Sequence, residues 1–230
     1  MKLGRLRPEL SKLNYLHNYL TEVVDTPESI FYGRYLDYPM FLNDKLGDCT
    51  IAGYAHLAQT QYDEIGKTFI TSDKEVKQTY FDITDGQDSG CVEYQVLELA
   101  RSQGLLGDQI STYAPVRVDV DMLKQALFLG GGLYLGVNLP QSAEQEFADN
   151  KPWEVISNSP IIGGHCVIAT GYNPVVCSIV TWGKVVSASW DWITHYTEEA
   201  WVILPDVWVS ANKCPQLDLA SLKTDFSKFY

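Results

Sequence analysis

Residues 42–57 read LNDKLGDCTIAGYAHL, and how this stretch is read decides the rest of the chain. Gly47 and Asp48 lead directly into Cys49, after which Ile51, Ala55, Ala58 and Tyr62 recur along one side of a helix that stops near Gly66. Cys49 therefore stands at a helix N-terminus, where unpaired backbone N–H groups favour the thiolate, the reactive form of cysteine. Such a residue is either a packed core thiol or a nucleophile, and the choice turns on what the fold brings to it.

A thiol nucleophile needs a base, and the base is normally distant in sequence. The stretch IIGGHCVIATGY, residues 161–172, offers His165 at the start of a strand, behind two glycines that let another backbone or a substrate come close. His56 competes poorly: it lies seven residues beyond Cys49, about 10 Å along the same helix. His17 falls in the lead-in, and His195 among polar residues near the end. A metal site made of His165, Cys166 and Cys177 is disfavoured because adjacent strand residues face opposite sides. No metal and no cofactor is implied.

Composition narrows the class. A chain of 230 residues, 46% hydrophobic and 12% aromatic, suits one compact domain with a substantial core. A net charge of -12 without a basic cluster argues against nucleic acid and anionic membrane surfaces. No run reaches the ~18 apolar residues of a membrane span, and the first residues lack the apolar core of a secretion signal. Five cysteines without CxxC pairs argue against a disulfide framework and a zinc site, and point to a reducing cytoplasm.

Along the chain, residues 1–40 read as a lead-in wrapping the core, with LSKLNYLHNYL at helical spacing. Residues from about 41 to 130 read as mainly helical. The helix opened by Cys49 is followed by VEYQVLELARSQG, stopped at Gly104, and by VDMLKQALFLGG, capped by Asp119 or Asp121 and ended by Gly130. From about 131 to 230 the period changes. GLYLGVNLP alternates Leu133, Leu135, Val137 and Leu139 on one buried face, and HCVIATGY, VCSIVTWG and EEAWVIL are further strands. Helices first and antiparallel strands second make an α+β arrangement in one domain.

The order of these segments resembles that of the papain-like cysteine peptidases over nearly the whole chain. That family places an oxyanion-hole glutamine six residues before the nucleophile and G-x-C at the start of its central helix. Here Asn43 and Gly47-Asp48-Cys49 occupy those places. GGHCVIATGY resembles the family's histidine block, VTWG stands where it has N-S-W-G, and EEAWVIL resembles its closing strand. The resemblance implies a papain-like fold, a helical half and a β half, with Cys49 as nucleophile, His165 as base and Asn43 as oxyanion donor. It further implies Trp182 as a shield for the histidine, and Gly90, Cys91 and Gly164 along the substrate wall. Cys91 also reads as a small buried hydrophobe. The chain is more similar still to uncharacterised phage and bacterial proteins with N-D-x-x-G-D-C-T, G-G-H and T-W-G blocks.

Three departures matter. Val180 stands where the family has the asparagine that orients the histidine, leaving Thr181, Asp191 or a backbone carbonyl for that task. Leu46 stands where secreted members have a disulfide cysteine. Only about forty residues precede the active-site segment, so no inhibitory segment is expected. The function implied is a thiol hydrolase acting on a peptide or protein, by default a cysteine peptidase. The alternative is a catalytically weak or inactive binding protein on the same frame, host-modulating or part of a phage particle. Oligomeric state is not legible.

Overall fold

The computed structural model describes residues 1–6 and 14–227. Part of LSKLNYLHNYL lies outside the described residues, and its remainder forms a single 3₁₀ turn at Leu16–Tyr19 rather than a longer helix.

The central helix α1 (Cys49–Glu64) is buried around nearly its whole circumference, not on the one side its spacing suggested. Its residues permit this: Ala52, Gly53, Ala55 and Ala58 let neighbouring elements approach closely, and a Cβ on Gly53 would stand 3.0 Å from Cys166 Sγ. Tyr54 and Tyr62, from two turns of this helix, both donate to the buried Asp108 carboxylate at 2.7 and 2.9 Å. A further helix, α2 (Asp73–Ile83), begins with a capping box in which Ser72 and Glu75 satisfy each other's backbone N–H. The sequence reading passed over it although S-x-x-E is its signature. Next come α3 (Glu93–Ser102) and α4 (Val120–Gly130). Asp119 caps α4 by accepting from the N–H groups of Asp121 and Met122, and Gly131 turns left-handed at its end with φ 70°.

The sheet is antiparallel throughout. Its strands are β4 (Ile110–Pro115), β5 (Leu133–Pro140), β6 (Ile161–Tyr172), β7 (Val176–Thr181), β8 (Lys184–Ser189) and β9 (Thr197–Pro205), in the spatial order β4-β9-β5-β6-β7-β8. The short strand β2 (Ile30–Phe31) pairs with β6, so the lead-in does wrap onto the sheet. β4 comes from the helical part of the chain yet joins the sheet through β9. β5 is buried on both faces, where alternation suggested one. The reason is its central place between β6 and β9, with α1 packed on the sheet. Helices also occur in the second half: α5 (Gln141–Ala148), α6 (Trp190–Tyr196), α7 (Asp206–Ser210) and α8 (Leu219–Ser227). A separate two-stranded parallel pair joins β1 (Arg5–Leu6) to β3 (Cys91–Val92). The fold is α+β, and no helix is long and apolar enough to cross a membrane among the described residues.

Candidate active site

Cys49 is the first residue of α1, and β6 packs against that helix with His165 opposite Val137 of β5. The two halves meet at the sulfur: the backbone N–H of Cys166, the residue after His165, acts on the Cys49 thiol and favours its thiolate. His165 is fully buried. Its Nε2 lies 2.8 Å from Thr181 Oγ1, while Nδ1 has no hydrogen-bond partner.

A turn supplies both the edge and the face of that imidazole environment. β7 and β8 form a hairpin pairing Thr181 with Lys184, so the loop is Trp182-Gly183, with φ 44° and 70°. Two successive positive φ values make the primed turn that suits the twist of a two-residue hairpin. Glycine adopts this freely, but tryptophan does so at a cost of about 1 kcal/mol. The indole is thereby stacked on His165, ring centroids 4.6 Å apart at 22°. Thr181 thus holds the ring edge and Trp182 covers its face. Asp191 is exposed at the start of α6 and the histidine's hydrogen bond does not go to it.

Asn43 is buried, and its Nδ2 donates to Asp48 Oδ1 at 3.1 Å and more loosely to the Leu46 carbonyl at 3.5 Å. Burial pushes the Asp48 carboxyl up to about 7, against the opposing hydrogen bond from Asn43. His56, seven residues beyond Cys49 on α1, instead bonds the Pro39 carbonyl at 2.7 Å.

Cys49 is only 1% exposed, and the cover is the chain's own leading segment. A Cβ on Gly4 would lie 1.8 Å from the Gly47 carbonyl oxygen, and the Gly4 N–H acts on the Cys49 sulfur beside that of Cys166. The Gly4 carbonyl accepts from the Cys91 N–H at 2.8 Å. A Cβ on Gly90 would lie 2.1 Å from that same carbonyl oxygen, and one on Gly164 would lie 2.4 Å from the Arg5 carbonyl oxygen. Gly90 and Cys91 therefore touch residue 4, and Gly164 touches residue 5. Beneath the cover, burial pushes the Cys49 thiol up to about 12 and the His165 imidazole down to about 3. Both are neutral in this closed form.

Beside the sulfur lies a buried charge cluster that sequence reasoning missed. Arg5 reaches Glu199 and Glu198, and Glu93 lies close enough to act on both Arg5 and Cys49. Its sequence signals, one arginine in the lead-in and an acid pair within a strand, look like ordinary surface charge. An open depression of about 770 Å³ lies next to residue 1, lined by Met1, Glu144, Phe147, Ile156 and Lys184 among others. Phe147 packs edge-on against Trp182, ring centroids 4.9 Å apart, so this depression adjoins the histidine's cover.

A cysteine-opened central helix packed on an antiparallel sheet that carries the histidine is the papain-like fold. Three solved structures share it: xylellain, a cysteine protease from Xylella fastidiosa, at TM-score 0.66 and 16% identity, covering 88% of this chain and 95% of its own; proCathepsin B S9 from Trypanosoma congolense, at TM-score 0.66 and 11% identity, covering 89% and 86%; and the Carica candamarcensis cysteine protease CMS1MS2, solved in complex with E-64, at TM-score 0.54 and 14% identity, covering 78% and 98%. No protein-family model and no curated protein matches the chain.

Proposed function

We propose that the protein is a papain-like thiol hydrolase acting on peptide bonds. The observation that carries this reading is the state of His165: one ring nitrogen is held by Thr181, the other, Nδ1, is buried without a partner, and the backbone N–H of the following residue, Cys166, acts on the Cys49 sulfur. A histidine serving packing alone would carry this unsatisfied nitrogen at a cost of about 1–3 kcal/mol with no return.

In the proposed reaction Nε2–H donates to Thr181, which leaves the Nδ1 lone pair to take the thiol proton. The sulfur attacks the substrate carbonyl carbon, and the Cys49 backbone N–H stabilises the resulting oxyanion. Asn43 assists with the amide hydrogen that is held only at 3.5 Å by Leu46. Collapse of the tetrahedral adduct breaks the C–N bond, and the imidazolium returns its proton to the departing amine. Water, deprotonated by the same imidazole, then cleaves the thioester and restores the thiol. Thr181 takes the orienting role that Val180 cannot fill, and Trp182 keeps water from the ring. Gly90, Cys91 and Gly164 line the groove that the peptide enters when residues 1–6 leave it.

A second reading is a non-catalytic binding protein on this frame, phage-encoded or otherwise, and the closed thiol favours it: a Cys49 thiol pushed up to about 12 is not a nucleophile at neutral pH. Alkylation separates the two. With residues 1–6 displaced by Gly4→Val, iodoacetamide is expected to modify Cys49 faster than Cys91, Cys166, Cys177 and Cys214, and His165→Ala to abolish the difference. Uniform modification of all five cysteines in the displaced form would establish the binding reading instead.

A further inference from the structure

Arg5 does something that the pairing of its backbone with β3 does not require. Its guanidinium enters a pocket beside Cys49 in which Nε lies 2.9 Å from Glu199 Oε1, Nη1 lies 2.7 Å from Glu198 Oε2, and Nη2 also binds Glu199. Gly136 forms the floor: a Cβ there would stand 2.5 Å from Arg5 Nε and 2.7 Å from Glu199 Cγ, so any other residue would fill the space the guanidinium occupies. The second oxygen of Glu199 accepts from Trp201 Nε1 at 3.0 Å, which fixes the carboxylate's orientation. Glu93, at the start of α3 and fully buried, completes the wall, with the Cys166 thiol acting on its carboxyl group.

The pocket holds more carboxyl groups than anchoring a short segment needs, and burial pushes those of Glu93 and Glu199 up, toward their neutral forms, unless a cation sits between them. One guanidinium faces three carboxyl groups, two of them on residues no more than 4% exposed. Burying an acid without full compensation costs several kcal/mol, and replacing a buried ionic group by apolar residues is often neutral or stabilising. A segment held only for stability would be served by an apolar side chain. A pocket with fixed acids and a glycine floor is instead built to receive a cation, whichever chain delivers it. Nε and Nη2 converge on the single Oε1 atom of Glu199, a planar two-donor approach that the arginine guanidinium supplies and a lysine ammonium does not. Its position is also informative. Arg5 follows Gly4, whose N–H acts on the sulfur and whose Cα packs on Gly47, so the pocket reads a side chain one residue from the backbone beside the thiol.

We propose that the Glu93–Glu199–Gly136 pocket recognises an arginine side chain of the bound peptide, and that Arg5 holds it in competition with that peptide. The proposal rests on the groove being the peptide site in the hydrolase reading, and it adds the substrate class: peptides with arginine next to the residue at the sulfur.

The test uses the full chain and measures binding, not turnover. Gly4→Val places side-chain atoms where Gly47 already stands, so it expels residues 3–6 while leaving the pocket acids untouched. Fluorescein-labelled Leu-Gly-Arg-Leu and its citrulline twin, which keeps the shape and loses the charge, are titrated by anisotropy. The Gly4→Val protein is expected to bind the arginine peptide at least tenfold tighter than the citrulline peptide, and the wild type to bind it at least tenfold more weakly than Gly4→Val does. Adding Glu199→Gln should erase the preference. Should near-UV circular dichroism show Gly4→Val unfolded, Arg5→Ala vacates the same pocket and is expected to show the same preference. Equal binding of the two peptides, or equal binding by wild type and displaced protein, overturns the proposal. A reactive Cys49 without arginine preference would sink this inference and spare the hydrolase; arginine preference with an inert Cys49 would do the reverse.

Discussion

The Nε2 atom of His165 and the Oγ1 atom of Thr181 lie 2.8 Å apart, both buried, in strands that bring residues sixteen positions apart together. This pair stands where the resemblance placed a histidine and a missing asparagine. The oxygen that meets the imidazole comes one position later, from the residue that begins the hairpin turn. Thr181→Val keeps the shape and removes the acceptor, leaving Nε2 unsatisfied in a buried site. A loss of about 1–3 kcal/mol is expected from the urea midpoint, with Thr181→Ser close to wild type. Equal stability of Val and Ser variants would show that the hydrogen bond contributes nothing.

Displacing the cover should change the chemistry of Cys49. Burial pushes its thiol up to about 12, which disfavours the charged form. Opening the groove by Gly4→Val returns water to the sulfur and should move the midpoint of alkylation against pH down toward the ordinary value of about 8.5. At pH 8 the modification rate, followed by mass spectrometry, is expected to rise at least tenfold over wild type. An unchanged pH profile would mean that residues other than 1–6 seal the thiol.

Two histidines should refuse protons. Burial pushes His56 down to about 4 and His165 down to about 3, so both remain neutral in the folded protein at pH 5. The sign follows from linkage. A folded pKa below the unfolded value of about 6.5 removes up to about 1.4 kcal/mol of stability per pH unit per group as pH falls below 6.5, until the folded pKa is reached. Long-range ¹H–¹⁵N spectra should show neutral ring-nitrogen shifts for both residues from pH 8 to 5. An imidazolium signal for His165 at pH 6 in the closed wild type would contradict its burial.

At Gly53, α1 lies close against the sheet. A Cβ there would be 3.0 Å from Cys166 Sγ and 3.3 Å from the Tyr134 ring, and valine adds two further methyl groups. Gly53→Val is expected to destabilise by about 1–3 kcal/mol through overpacking, seen as a lowered thermal midpoint. A midpoint at or above that of wild type would show that α1 can shift without loss.

Much of the frame was legible because it is local. Cys49 opening a helix, Gly131 closing α4 just after the expected stop at Gly130, and the runs that became β5, β6, β7 and β9 all follow from periodicity and turn chemistry. The two-sided burial of β5 and the near-complete burial of α1 were not legible, since each depends on which neighbours pack against the element. Nor was the hairpin at Trp182-Gly183, which takes a backbone conformation that tryptophan rarely adopts.

By itself, then, the sequence determined α1, α3, α4, β5, β6, β7 and β9 and their order, because these depend on side-chain type and near neighbours. Tertiary structure alone decided that Thr181 holds the imidazole, that residues 3–5 lie across the sulfur, and that Arg5 meets Glu93 and Glu199. Those partners lie far apart along the chain. Neither their charges nor their hydrogen-bonding capacity carries any record of distance until folding removes the water between them.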